Sequence, residues 1–182
     1  MSSFKIVIVN VVATAALDRP VDLETIKEAF PDKVVHDPQI YGGRTAYFKT
    51  NKMQGKVSFF SSGKMISVGT KSKGKAKHEL GLVASYLENV GIAKIKGSAI
   101  IRNIMATGDL GFEPRLDRTK PVERAQIVYE PEQFPGAIIT LTLSEKAKAT
   151  VLLFSSGKMV CVGLKGQQHI EAAIHYLLKI IS

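Results

Sequence analysis

The sequence predicts an α+β fold made of two tandem copies of one module, each an antiparallel sheet with its helices on one face. Two observations predict it. A fifteen-residue tract recurs further along the chain, and each copy reads as strand, helix, four strands, helix. Val57–Lys71, VSFFSSGKMISVGTK, returns as VLLFSSGKMVCVGLK at Val151–Lys165, with 10 of 15 positions identical at an offset of 94. Upstream, VNVVATAAL (Val9–Leu17) matches RNIMATGDL (Arg102–Leu110) at an offset of 93. Between these tracts Val35, Pro38 and Gly43 match Val128, Pro131 and Gly136, with Tyr41 facing Phe134. One residue of slippage is expected near Asn51–Lys56 against Ser144–Lys148. Repeat one then covers about 4–91 and repeat two about 97–181. Two copies are too few for a solenoid and suit an intramolecular pseudo-dimer about a two-fold axis.

The elements follow in order. Each copy opens with a strand, Ile6–Leu17 or Ala99–Leu110. A short helix follows in copy one, with Asp22 as N-cap, Leu23, Ile26 and Phe30 inward, and Pro31 as its stop. Its counterpart near Leu116 is interrupted by Pro121. Hairpin strands come next, with turns at Gly42-Gly43, Ser62-Gly63, Pro135-Gly136 and Ser156-Gly157. A longer helix closes each copy, striped by Ala76, Leu80, Val83, Leu87 and Val90, and by Ile170, Ala173, Leu177 and Ile181.

An antiparallel sheet with helices on one side should be polar on the other. Here both faces are apolar: Val57 and Phe59 alternate with Ser58 and Phe60, and Val151 and Leu153 with Leu152 and Phe154. If the tight turns keep hairpin register, Ile66 and Val68 share the face of Phe60, and Val160 and Val162 that of Phe154. Such a face implies a ligand or partner. A second core layer or a homodimer interface would leave the same pattern.

Composition narrows the classes. The chain has 182 residues, 45% hydrophobic, and no apolar run of the roughly 18–20 residues that a membrane span needs. Asn10 and Thr14 fall at strand-like alternate positions in the apolar N-terminus, so it reads as a strand and not as a signal peptide. Cys161 is the single cysteine, which excludes an internal disulfide and fits a reducing compartment. The net charge of +9 is spread evenly, 13 basic against 8 acidic residues in 1–91 and 12 against 8 in 92–182, and so gives only a weak pointer to a polyanion. His36, His78, His169 and His175 show no metal-ligand spacing, and no nucleophile–base arrangement stands out, so neither cofactor, metal nor catalysis is expected. Gly69–Ala76, GTKSKGKA, nearly spells a phosphate-binding loop but ends in Ala where Ser or Thr belongs. The basic run Lys71, Lys73, Lys75 and Lys77 reads as a solvated helix start, or as a grip on flanking DNA or a regulator.

Three features match one family. The paired FSSGKM tracts, YEPEQFPG at Tyr129–Gly136, and the paired Asn in VNVVAT and RNIMAT resemble the TATA-box-binding protein family in its archaeal form, over essentially the whole chain. The resemblance implies a pseudo-two-fold saddle, a curved antiparallel sheet with helices on the convex face. The free face would press into the minor groove of A·T-rich promoter DNA and bend it; the family is itself a standard case of such kinking, so that mechanism is borrowed from it. The implied groove-reading residues are Asn10 and Asn103 as central amide donors. Val12, Met105, Ser58, Leu152, Ile66, Val160, Val68 and Val162 make the floor. Tyr41 with Phe60, and Phe134 with Phe154, would be the intercalating pairs, although a Phe on such a strand is by itself as readily a core residue.

Ser62, Lys64, Lys71, Ser156, Lys158 and Lys165 match the family's phosphate contacts. Glu130, Glu132 and Gln133 match the segment that docks transcription factor B, through which RNA polymerase is recruited; Asp37, Gln39 and Ile40 in copy one are less acidic. The resemblance implies a cytoplasmic, nucleoid-associated factor, or a nuclear one if eukaryotic. When DNA is absent the sequence leaves both a monomer and a homodimer through the apolar face open. The chain departs from the family at Val68 and Val162, usually Thr, at Tyr41, usually Phe, at Met105, usually Val, and at Tyr47 and Thr140, often Arg. A paralogue with relaxed preference, acting mainly as a protein-interaction module, is the alternative.

Overall fold

The computed structural model describes residues 5–145 and 147–182, and of Ile40 and Tyr41 the backbone alone. The chain divides into two compact units, Asn10–Arg102, and Asn103–Ser182 together with the residues up to Val9. In the first lie most of β1 (Lys5–Leu17), α1 (Leu23–Ala29), β2 (Val34–His36), a 3-10 turn at Ile40–Gly43, β3 (Thr45–Phe48), β4 (Lys56–Phe60), β5 (Lys64–Thr70), α2 (Lys73–Asn89), and β6 (Ile95–Asp109) as far as Arg102. Its strands run in the order β2-β3-β4-β5-β1. The second holds the rest of β6, a 3-10 turn at Leu116–Arg118, β7 (Ala125–Tyr129), β8 (Gly136–Ser144), β9 (Ala147–Phe154), β10 (Lys158–Leu164) and α3 (Gln167–Ile181). Its order is β6-β10-β9-β8-β7, the first unit's order in repeat-two strands read from the opposite end. The paired strands within each unit are antiparallel.

Local chemistry sets the elements. Asp22 caps α1 by accepting the Thr25 N–H at 3.0 Å, and Ser72 caps α2 by accepting that of Lys75 at 3.2 Å. In repeat two the segment before Pro121 keeps only the 3-10 turn. Thr119 there is already extended, in the run-up to Lys120, which Pro121 biases away from helix. The opening strands begin earlier than the sequence suggests, at Lys5 and Ile95, and the second ends one residue sooner.

The core lies on the helix side of each sheet. Phe59, Met65 and Val57 are fully buried with Leu80, Val83 and Leu87 of α2, and Phe30, Phe48 and Tyr86 form an aromatic cluster with centroids 5.2–5.8 Å apart. Leu153, Val151 and Ile139 are buried with Ile170, Leu177 and Ile180 of α3 in the second unit. Two stripe positions are corrected. Val90 is the exposed C-cap of α2, one residue past the last helical residue Asn89, and Ile180, not Ile181, is the buried end of the α3 stripe.

The expected single slippage is two compensating ones. Thr45 stands opposite Phe60, whereas Gly136 stands opposite Phe154. Copy one thus has two extra residues between Tyr41 and β3, and three fewer between Thr45 and Phe60 than lie between Gly136 and Phe154. Tyr47 is therefore the partner of Ser58 and matches Ile138, the partner of Leu152; it does not match Thr140. The β3–β4 loop is closed by Lys49, whose ammonium donates to the carbonyls of Met53, Gln54 and Gly55. Beneath it the buried Glu79 carboxylate accepts from Gln54 and Gly55 N–H, at 2.7 and 3.0 Å. At an offset of 94, Ala173 stands for Glu79 in repeat two.

Candidate nucleic-acid interface

The sheet face away from the core carries a cross-strand row of side chains in each unit. In the first, neighbouring Cα partners are Val35, Tyr47, Ser58, Ile66 and Thr14. In the second they are Val128, Ile138, Leu152, Val160 and Thr107. Phe60 and Val68 share the first face and Phe154 and Val162 the second, as the alternation predicts. All are partly accessible, in contrast to the fully buried Phe59 and Leu153 between them. The sequence passed over Thr14 and Thr107, although both stand in the matched ATxxL tracts.

At the inner strands each row meets a fixed amide. Asn10 Oδ1 accepts the Gly69 N–H at 2.8 Å, and Asn103 Oδ1 accepts the Gly163 N–H at 2.8 Å. A backbone N–H can only donate, so the amide oxygen must face it and Nδ2 must turn away. Neither Nδ2 hydrogen-bonds to any described residue, which leaves two oriented donors. The glycines are required. Their φ angles are +89° and +85°, at breaks in strand register, and a Cβ on Gly163 would come 2.6 Å from the Lys148 carbonyl oxygen. This lock was missed by the sequence reading; its signal was the glycine repeated in VGTK and VGLK.

Phe134 and Phe154 form a tilted pair, centroids 5.7 Å apart and planes at 53°. Gly136 makes the room, since a Cβ there would approach the two rings to 3.0 and 3.2 Å. Beside them lies a groove of about 650 Å³ lined in part by Lys5, Val7, Thr107, Lys158 and Val160. In copy one Phe60 is half-buried on the matching strand. The Tyr41 side chain lies outside the described residues. Its backbone stands four positions before Thr45, whereas Phe134 stands two before Gly136, so the two ends are not built alike.

The lysine-bearing turns are built alike. Gly63 donates to the Phe60 carbonyl at 2.8 Å and Gly157 to that of Phe154 at 2.9 Å, and Leu17 and Leu110 clamp the two glycine carbonyls. Ser62, Lys64, Ser156 and Lys158 are exposed on these turns, and Lys71 and Lys165 just beyond β5 and β10. None of these four lysines forms an ion pair among the described residues. In Glu130–Gly136 the Glu130 carbonyl accepts from Gln133 and Phe134, a turn that leaves the Glu130, Glu132 and Gln133 side chains exposed.

Other candidates dissolve. Gly69–Ala76 runs from an antiparallel strand into α2, and its first N–H is taken by Asn10. No group of His, Cys, Asp and Glu among the described residues is arranged to hold a metal. Cys161 is buried, and burial pushes its thiol up to about 11. No helix among the described residues is long and apolar enough to cross a membrane.

Duplicated α+β halves, each with an apolar sheet face, a fixed amide and an exposed lysine turn, define a class of two-repeat sheet proteins. The model of the family described as "Transcription factor TFIID (or TATA-binding protein, TBP)" matches residues 5–90 and 98–182. The chain belongs to that family. It is 34% identical over 173 residues to the TATA-box-binding protein of Methanococcus aeolicus, covering 94% of this chain and 91% of that one. It is 37% identical over 172 residues to that of Cenarchaeum symbiosum, with the same coverages. The solved structure of Methanococcus jannaschii TBP matches with a TM-score of 0.79 at 32% identity, over 97% of this chain and 98% of that one. The α+β fold class stands.

Proposed function

We propose that this protein is a general transcription initiation factor that binds A·T-rich promoter DNA in the minor groove, bends it, and recruits transcription factor B and with it RNA polymerase. Each repeat would read base pairs of its own. The observation that carries this reading is the pair of locked amides on apolar faces. A·T pairs present only acceptors in the minor groove, and Nδ2 of Asn10 and of Asn103 are donors held ready for them. Val12, Ile66, Val68, Val160, Val162 and Leu152 offer no acceptor for the guanine 2-amino group, and Met105 only the weak one of its thioether. Phe60 with Tyr41, and Phe154 with Phe134, serve as wedges that unstack a base step at each end. Lys64, Lys71, Lys158 and Lys165, with Ser62 and Ser156, take phosphates. Four lysine contacts give a slope of about −4 in log affinity against log salt. Glu130, Glu132 and Gln133 offer an acidic turn to transcription factor B.

The test is a fluorescence bending titration with A·T-rich and G·C-rich duplexes at two salt concentrations, with and without transcription factor B. Bending of A·T-rich DNA that weakens steeply with salt is expected. Absence of bending on every duplex, partner included, overturns the proposal.

A further inference from the structure

The two cross-strand rows differ at their centres, and the difference falls on the atom by which the minor groove distinguishes its base pairs. In the second unit Leu152 lies between Ile138 and Val160, three aliphatic side chains in succession. In the first, the same place is held by Ser58, between Tyr47 and Ile66. Ser58 is half-buried, and its hydroxyl makes no hydrogen bond with any described residue. Its cross-strand neighbour Tyr47 is itself polar at its tip, with the Lys56 ammonium 4.6 Å above its ring.

We propose that the two repeats read DNA with unequal stringency: the second admits only A·T pairs, while Ser58 lets the first accept a G·C pair. This rests on the minor-groove reading above and deepens it. The guanine 2-amino group is the one feature a G·C pair adds to the groove floor, and it is a donor. Against Leu152 it loses its water and meets no acceptor, the costly case for a buried polar group. Against Ser58 it meets a shorter side chain and a free hydroxyl oxygen. DNA can enter in either direction, so a site with one G·C pair binds with that pair beneath repeat one. The base pair that repeat two refuses therefore sets the direction in which the protein sits.

The experiment compares three duplexes: an A·T-only site, the same site with a G·C pair stepped through one half, and the site with the mirror-image pair changed in both halves. The decisive positions are those where changing both halves weakens binding at least tenfold. There, one G·C pair should cost the wild-type protein less than about 1.5-fold, against the threefold or more that two equally stringent repeats would give. Ser58→Leu should raise that cost, measured against the variant's own A·T-only site, to about tenfold, and its Tm and circular dichroism spectrum report that it folds. Leu152→Ser should bring the doubly changed site back to within about threefold. Inosine, which lacks the 2-amino group, should restore it for the wild type as well. If one G·C pair costs half of the double change on a logarithmic scale at every such position, the repeats are equally stringent and the proposal falls. It also falls if inosine fails to rescue. Failure to bind or bend the A·T-only site would instead remove the minor-groove reading itself.

Discussion

Asn103→Asp separates the fold from the proposed function at a single atom. In the native protein Asn103 Oδ1 accepts the Gly163 N–H at 2.8 Å, and Nδ2 faces away with no described partner. In the variant one carboxylate oxygen keeps that bond. A hydrogen bond to a charged group contributes about 1.5–3 kcal/mol against about 0.5–1.5 for a neutral one, so stability holds or rises. The second oxygen takes the place of Nδ2 and offers an anion to base acceptors and phosphates. Loss of a base-edge contact alone is worth about 1–3 kcal/mol, or roughly 5- to 150-fold in affinity, and charge repulsion adds to it. Thermal unfolding and fluorescence anisotropy at one salt concentration are the assays. The expected pair of results is an unchanged or raised Tm with affinity for A·T-rich DNA reduced at least tenfold. A Tm several degrees lower would mean that Nδ2 is bonded within the protein. Affinity within twofold of the native value would mean that the amide does not face DNA. Either outcome refutes the reasoning.

Phe154→Ala should abolish bending in the fluorescence assay yet cost less stability than Phe59→Ala, because Phe154 is half-buried and Phe59 fully buried, where truncation costs about 3–5 kcal/mol. Gly163→Ala forces a side chain to φ +85° and against the Lys148 carbonyl. At about 1–3 kcal/mol of strain, its Tm should fall by roughly 2–12 °C in a scanning experiment. Gly81, inside α2 with nothing within 4 Å of an added Cβ, should behave oppositely, gaining about 1 kcal/mol as Ala. The Arg19 guanidinium and the Lys94 N–H hold the Asp18 carboxyl down to about 2, below its ordinary 3.8. Its contribution is therefore complete above about pH 4 and lost as pH falls toward 2. Asp18→Asn should flatten that part of an acid-unfolding curve.

The sequence made the duplication, the strand alternation and the pairing of Phe60, Phe154 and the lysine turns legible, because these depend on residue type at fixed spacing. Asp22 and Pro31 likewise announced α1. Register across the β3–β4 and β8–β9 hairpins was not legible. A glycine at 43 and another at 136 look equivalent in a linear alignment, yet one lies in a 3-10 turn and the other opposite Phe154. The Asn–Gly locks were missed too: the glycine repeated in VGTK and VGLK marked a special backbone position, but nothing local linked it to an Asn side chain about sixty residues away. The amides could be named as donors, but not seen to be aimed.

The division of the chain into units does not coincide with the division into repeats. The unit of repeat one is completed by β6 up to Arg102, and that of repeat two takes in β1 up to Val9. A cut near residue 91 would leave neither product with a whole unit. A chain bearing one repeat would then need a second identical chain to supply the missing strand end, and its folding would depend on concentration. Fusing two copies replaces that encounter with an intramolecular one, at the effective concentration set by the short link between α2 and β6. Once joined, the copies were no longer obliged to be identical, and a difference such as Ser58 against Leu152 could arise on one side alone.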